Sequence, residues 1–439
     1  MIIAKRKTKP VWWLSPITLP ILLAITLAGG SLLIPKPYFI NIYGTTKHIT
    51  TETTLLVILT ALTFSFFAFL GKNRRGNSSY IKQVNPIALS FFSSKSSSKI
   101  YWFLFTITLL AYLIFYSGAI SSGLNLSSLI YAITSGDGVF ALKSQYLSTS
   151  RIAGVTSFTQ MGVPAVTLGT YLYIIKPKKF LKASLALIII LGIIKSFLVS
   201  ERLALIELII PIVLVNYSLK SRQGKLNTKL IALFPIIAVF FALAFFTAFE
   251  FFRSFSAGHL KNIGLGDLGI IEYGAVLFMG YYATSINNSA LLYYMWNANY
   301  PFFSLSALWK MTSAFGLGNY YELTGFDGGE HYAYLLKNYG FSGFNNPGGH
   351  LLPIIDFGLA FGLIVWAILG FIAGALYSSF TKGTFTGLLI YPLFFIGIIE
   401  MPRILYWSDA RSPAIWIGCL IIVIAFKRYK SRKARSISN

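Results

Sequence analysis

Ten apolar runs, near residues 17–34, 54–70, 100–119, 153–175, 183–199, 202–217, 230–252, 354–377, 384–399 and 414–426, constrain this chain more than any other feature. A helix needs about 20 mostly apolar residues to cross roughly 30 Å of hydrocarbon, and within lipid every backbone polar group must find its partner inside the segment. The runs therefore predict an all-α, polytopic integral membrane bundle of about ten transmembrane helices, with residues 1–439 forming a single membrane domain. Only 11% of residues are charged and 55% are hydrophobic, whereas soluble domains carry about 25% charged residues. A soluble fold is excluded. The net charge of +24 does not indicate a nucleic-acid partner either, because the basic residues sit in the gaps between apolar runs. With Cys419 as the one cysteine, neither an internal disulfide nor a cysteine-based zinc cluster can form.

Sidedness follows from where Lys and Arg gather, since short loops rich in them stay in the cytoplasm. The N-terminal KRKTK, the 71–99 loop, the KPKK run at 176–179, the 216–229 loop, Lys382 and the KRYKSRKAR tail alternate correctly with ten crossings. Both termini are then cytoplasmic, and the first run reads as a retained signal anchor because no small-residue cleavage site follows it. The cytoplasmic segments hold 25 of the 37 bases and none of the 13 acids. The acids and all four histidines fall in outer loops or in the spans, so acid–base chemistry is expected at the extracytoplasmic face. The large outer loop covers 253–353. Its aromatic stretch 270–296 is long enough to cross, but crossing would put the basic tail outside, so an interfacial or re-entrant helix is expected.

Charges in or near a span are costly and mark functional candidates. Lys195 and Glu207 lie at similar distances from the Ser200–Arg202 turn, so the hairpin is expected to pair them. Arg202, Arg253, Arg403 and Arg411 come from different helices yet share one depth with Glu250, Asp356, Glu400 and Asp409, and could ring an outward-facing cavity. Arginine suits a bidentate grip on phosphate oxygens; the alternative for any one of them is interfacial snorkelling. In the outer loop FDGGEHY holds Asp327, Glu330 and His331 within five residues. No HExxH, EF-hand or DxD spacing supports a metal, and Glu330 or His331 reads better as a general base or as part of a sugar-binding surface. The NNPGG turn is expected to aim His350 at the cavity mouth, with Asp356 one to two turns later. Gly358 and Gly362, four apart, would share a face for close helix approach. P-loop, GxSxG and Rossmann glycine patterns are absent from the sequence.

Three of these features together resemble the Wzy-type O-antigen polymerases, the oligosaccharide repeat unit polymerases of bacterial surface polysaccharide assembly. They are the hairpin with Ser200 and Arg202 at its outer turn, the long outer loop before the last three spans, and the return of that loop into Asp356, Phe357 and Gly358. The resemblance implies block transfer of a glycan at the periplasmic face of the bacterial inner membrane, from undecaprenyl pyrophosphate to a sugar hydroxyl of a newly flipped repeat unit. On that reading Arg202, Arg253, Arg403 and Arg411 hold the pyrophosphate, one of His331, Glu330, His350 or Asp356 acts as the base, and neither metal nor other cofactor is needed. Membrane lipids are partners throughout, and a chain-length regulator is a partner the resemblance leaves open. The alternatives are an O-antigen ligase, which uses the same class of donor, a transporter or flippase of lipid-linked sugars, and a non-catalytic scaffold. A through-path predicts polar residues at all depths, which the apolar inner halves of the spans argue against.

Overall fold

The structure, a computed structural model, describes residues 10–74, 82–123, 125, 127, 155–199, 203–224, 231–250 and 269–438. It is an all-α bundle, with no strand among the described residues. The helices that coincide with apolar runs are α1 (Thr18–Leu33), α3 (Thr51–Asn73), α5 (Lys95–Ser121), α6 (Gly162–Ile175), α7 (Lys179–Val199), α8 (Leu203–Arg222), α9 (Phe234–Glu250), α14 (Leu352–Thr381), α15 (Phe385–Glu400) and α16 (Ser412–Ser438). Among the described residues each of the ten apolar runs overlaps one of them, the run 153–175 extending back over a separate 3-10 helix at Thr156–Met161. Five (α3, α5, α8, α14 and α16) are long and apolar enough to cross a membrane by length and composition, and a sixth joins them if α1 and α2 (Lys36–Tyr43), bent by 93°, form one span. The connections hold the long helix α10 (Ile270–Met295) and the short helices α4 (Pro86–Phe92), α11 (Ser306–Ala314), α12 (Tyr320–Thr324) and α13 (Gly328–Tyr339).

Polar residues just ahead of the apolar runs start these helices. Thr50 accepts from the Thr53 amide at 3.2 Å while Thr53 Oγ1 accepts from the Thr50 amide at 3.0 Å, closing a capping box on α3. Ser94 caps α5 through the Ser97 amide, and Thr384 caps α15 through the Gly387 amide. Such caps satisfy amides that the helix leaves without an internal partner.

Helices α3 and α14 lie backbone against backbone. A Cβ on Gly370 or Gly374 would run into the carbonyl oxygens of Phe64 or Ala68, and one on Gly71 into that of Phe371. Small residues thus provide the close approach, as in membrane helix pairs generally. This differs from the expected Gly358 and Gly362 pair. Gly358 instead takes φ +75°, ψ 171° and breaks α14 one turn after its start, while Gly362 packs across that break against Ile354 of the same helix. Only glycine enters this region of φ/ψ without strain. Trp366, fully buried, fills the centre of the bundle between Phe64 and Trp407.

The two ends of the bundle differ in chemistry. At one end the lysine- and arginine-rich segments meet: the Lys82 amide donates to Thr381 O, Lys176 Nζ to Ser93 O, and Lys433 Nζ to Ser90 Oγ. Arg222 ties this end together from a buried position. Its Nε donates to Lys82 O, Nη1 to Ser218 O and Oγ, and Nη2 to Phe380 O, the last near the carbonyl-rich C-terminus of α14. At the opposite end Asn287 of α10 binds the Thr46–Ile49 backbone through three hydrogen bonds, and Asn288 donates to Phe344 O and Asn346 O. Tyr293 and Tyr294 reach Glu52 at the start of α3. Further back, Gly274 of α10 packs on Thr247, close to the end of α9.

Candidate functional site

A cavity of about 250 Å³ lies where Phe115 of α5, the short 3-10 helix Thr156–Met161, Lys195 of α7, Lys310 of α11 and the 409–411 segment converge. Lys195 is 16 residues along α7 from Lys179, and Glu207, just behind the cavity, is 15 residues from Arg222 along α8. At 1.5 Å per residue both separations exceed about 20 Å, so the cavity sits at the end of the bundle away from the basic segments. Among the described residues three cations line it, Lys195, Lys310 and Arg411, with one carboxylate, Asp409. Thr156, Ser157, Thr159 and Gln160 add hydroxyl and amide groups. An excess of positive charge among neutral hydrogen-bonding groups suits an anion.

Lys195 and Arg411 are held differently. Lys195 Nζ donates to Thr159 Oγ1 at 2.7 Å and stands 5.6 Å from the centroid of Phe115. Arg411 Nη1 is 3.8 Å from Glu207 Oε2, and its Nε is 3.9 Å from Asp409 Oδ1. The Asp409 carboxylate also accepts from the Arg411 amide at 3.0 Å, so the turn into α16 fixes their relation. Glu207 is fully buried and accepts from Tyr406 OH at 3.0 Å. Its partners thus come from the segment after α15. The direct partners of Glu207 are Tyr406 and Arg411, while Lys195, expected to pair with it across the hairpin, bonds Thr159 and acts on Glu207 at longer range.

Of the four expected pyrophosphate arginines, Arg411 lines the cavity. Arg202 and Arg253 lie outside the described residues, as does the side chain of Glu250. Arg403 is buried: Nη1 donates to Glu400 Oε2 at 2.7 Å, Nη2 to Tyr281 OH at 2.6 Å, and the guanidinium lies 4.2 Å from the Tyr281 centroid. Breaking such a buried pair leaves an uncompensated charge, so Arg403 serves to join α15 to α10.

The expected bases do not line the cavity. Asp356 Oδ1 accepts from the amides of Phe302 and Phe303 at 2.9 and 3.3 Å, and Oδ2 from that of Ser304 at 2.5 Å. His350, expected at the mouth, is 2% exposed. Thr60 Oγ1 donates to Val57 O at 2.7 Å, so it accepts from His350 Nδ1–H at 3.0 Å, and the ring stands 5.9 Å from that of Trp366. His331 sits among the rings of Trp296, Phe326 and Tyr334. Glu330 is exposed on the first turn of α13, where its amide donates to the capping Asp327 Oδ1 at 2.8 Å. The three polar residues of FDGGEHY therefore divide between a helix cap, solvent and an aromatic cluster.

Lys310, Thr159, Gln160 and Tyr406 escaped the sequence reading. Lys310 did carry a signal, as the sole Lys or Arg between Lys261 and Lys337. Comparison with known proteins finds no match among family models, curated proteins or solved structures.

Proposed function

We propose that this chain is a glycosyltransferase of the bacterial inner membrane that polymerises undecaprenyl-pyrophosphate-linked oligosaccharide repeat units. The observation that supports this reading best is the cavity lined by Lys195, Lys310, Arg411 and Asp409 at the end of the bundle opposite the basic segments. The positive-inside rule puts those segments in the cytoplasm, which makes both termini cytoplasmic and the cavity periplasmic, where flipped lipid-linked glycans are found. The partners along α10, from Thr247 near the end of α9 to Glu52 at the start of α3, favour an interfacial helix at that face.

In the reaction the bond from the donor's anomeric carbon to its phosphate oxygen breaks, and a bond from that carbon to the acceptor oxygen forms. The electron pair leaves with the polyprenyl pyrophosphate, whose charge Arg411, Lys195 and Lys310 offset as it develops. The acceptor hydroxyl loses its proton to Asp409, the cavity's carboxylate, which replaces His331, Glu330, His350 and Asp356 in this role. Glu207 and Tyr406 orient Arg411 from behind.

Deletion of the gene, followed by electrophoresis of surface lipopolysaccharide, separates the competing functions. The proposed polymerase predicts core bearing a single repeat unit. Core bearing none would instead support a ligase, a flippase or an earlier step. Unchanged ladders would contradict any role in polymer formation.

A further inference from the structure

The geometry points to Asp356 as a positioning residue that sets Lys310 over the cavity through residues 302–306, an inference that rests on reading the cavity as a pyrophosphate site. Helix α11, which carries Lys310, has no fully buried residue. Apolar packing therefore fixes its position weakly. Its placement comes from the segment that leads into it. Three successive amides, Phe302, Phe303 and Ser304, converge on the Asp356 carboxylate. Two residues on, Ser306 Oγ donates to Ser408 O at 2.5 Å, while Ser408 Oγ, whose nearer acceptor is Leu405 O at 3.2 Å, stands 3.4 Å from Phe303 O. Trp309 Nε1 closes the turn on Pro301 O at 3.0 Å.

Lys310 follows Ser306 by about one helical turn, and Asp409 directly follows Ser408. The same staple thus ties together the segments that bring one cation and the carboxylate to the cavity lining. Asp356 touches neither. A carboxylate is needed because both of its oxygens accept, from three donors in all; an asparagine would set an N–H₂ against at least one of those amides. The break at Gly358, two residues beyond, ends the first turn of α14 and leaves Asp356 on a short segment bound to the loop.

The test uses the purified full-length protein in lipid nanodiscs, with amide hydrogen exchange and calorimetric titration of inorganic pyrophosphate on wild type, Asp356→Asn, Lys310→Gln and the double variant. In Asp356→Asn, exchange should rise at 302–304 and along Ser306–Ala314 but not around Trp366, and the pyrophosphate Kd should weaken about tenfold, the scale of one charge-assisted hydrogen bond. Lys310→Gln should weaken binding by a similar factor without changing exchange at 302–304, and the double variant should bind no worse than the weaker single one. Wild-type affinity in Asp356→Asn, or a double variant in which the two factors multiply in full, overturns the inference while leaving the pyrophosphate reading standing. Absence of pyrophosphate binding to the wild type removes that reading instead. Exchange then decides the clamp alone, and unchanged exchange along Ser306–Ala314 in Asp356→Asn overturns it. Should Asp356→Asn fail to accumulate, Ser306→Ala removes the second staple and is judged by the same two measurements, with the same expected directions.

Discussion

Replacing Arg411 by Met separates the two roles assigned to it, holding Glu207 and meeting substrate. The pair distance of 3.8 Å corresponds to about 4 kcal/mol of attraction at an effective dielectric of about 20. Arg411 is 22% exposed while Glu207 is not exposed at all, so solvent screening on the arginine side reduces this to about 2–3 kcal/mol. Arg411→Met should destabilise the protein by that amount, because it leaves a buried carboxylate with the Tyr406 hydroxyl as hydrogen-bond donor and Lys195 at longer range. Glu207→Gln retains an acceptor for Tyr406 and should cost less. Joined to Arg411→Met, it should restore at least half of the lost stability, since the uncompensated charge is gone. Thermal unfolding in nanodiscs reads all three variants. Polymer ladders read function in the same strains, and neither variant carrying Arg411→Met should form polymer. A double variant as unstable as Arg411→Met would refute the electrostatic argument, and full ladders from Arg411→Met would refute the substrate role.

Three further outcomes follow from other parts of the structure. Burial pushes the His350 imidazole, two residues before α14, down to about 3. The unfolded chain takes up this proton near pH 6.5 and the folded chain does not, so the stability is complete above that pH and falls by about 1.4 kcal/mol per unit as pH drops toward 3. Between pH 7.5 and 5 unfolding should therefore become easier by about 2 kcal/mol in wild type and by less in His350→Gln; equal slopes would contradict a buried neutral histidine. Arg222→Gln should lose about 3 kcal/mol, through the bonds to Lys82 O, Ser218 O and Phe380 O, and Arg222→Lys should recover only part because it lacks the planar fork. Thermal unfolding checks both, and a wild-type midpoint in Arg222→Gln would show that the brace is dispensable. Arg202→Ala should abolish polymer while the protein still accumulates in the membrane; normal ladders would remove that residue from the site.

The apolar runs were readable because hydrophobic thickness sets a minimum helix length, and each of the ten overlaps a helix among the described residues, five or six of these being long and apolar enough to cross a membrane. Features that depend on long-range register were not. Glu207 finds Tyr406 and Arg411, about 200 residues away, rather than the hairpin neighbour Lys195. A hairpin places two residues at equal depth but does not fix which way each faces. Asp356 and His350 read as bases because composition marks them as ionisable near the membrane; it could not show that backbone amides surround one and Thr60 and Trp366 the other. Gly370 and Gly374, the pair that meets α3, carried the same four-residue spacing as Gly358 and Gly362. The difference lies in the break at Gly358, a backbone conformation that spacing alone does not encode. Within the 253–353 loop, α2-like short helices such as α11 emerge only from caps and local packing, and so Lys310 was passed over.

The central claim is that the cationic cavity carries out glycan transfer from a lipid pyrophosphate. Its most direct test is to incubate the purified protein, reconstituted in liposomes, with a polyprenyl-pyrophosphate-linked oligosaccharide and no other enzyme. Wild type should produce a ladder spaced by one repeat unit with stoichiometric release of polyprenyl pyrophosphate, and Asp409→Asn or combined replacement of Lys195 and Lys310 by Gln should produce neither. Failure of the wild type to consume the donor, or full turnover by those variants, would contradict the account.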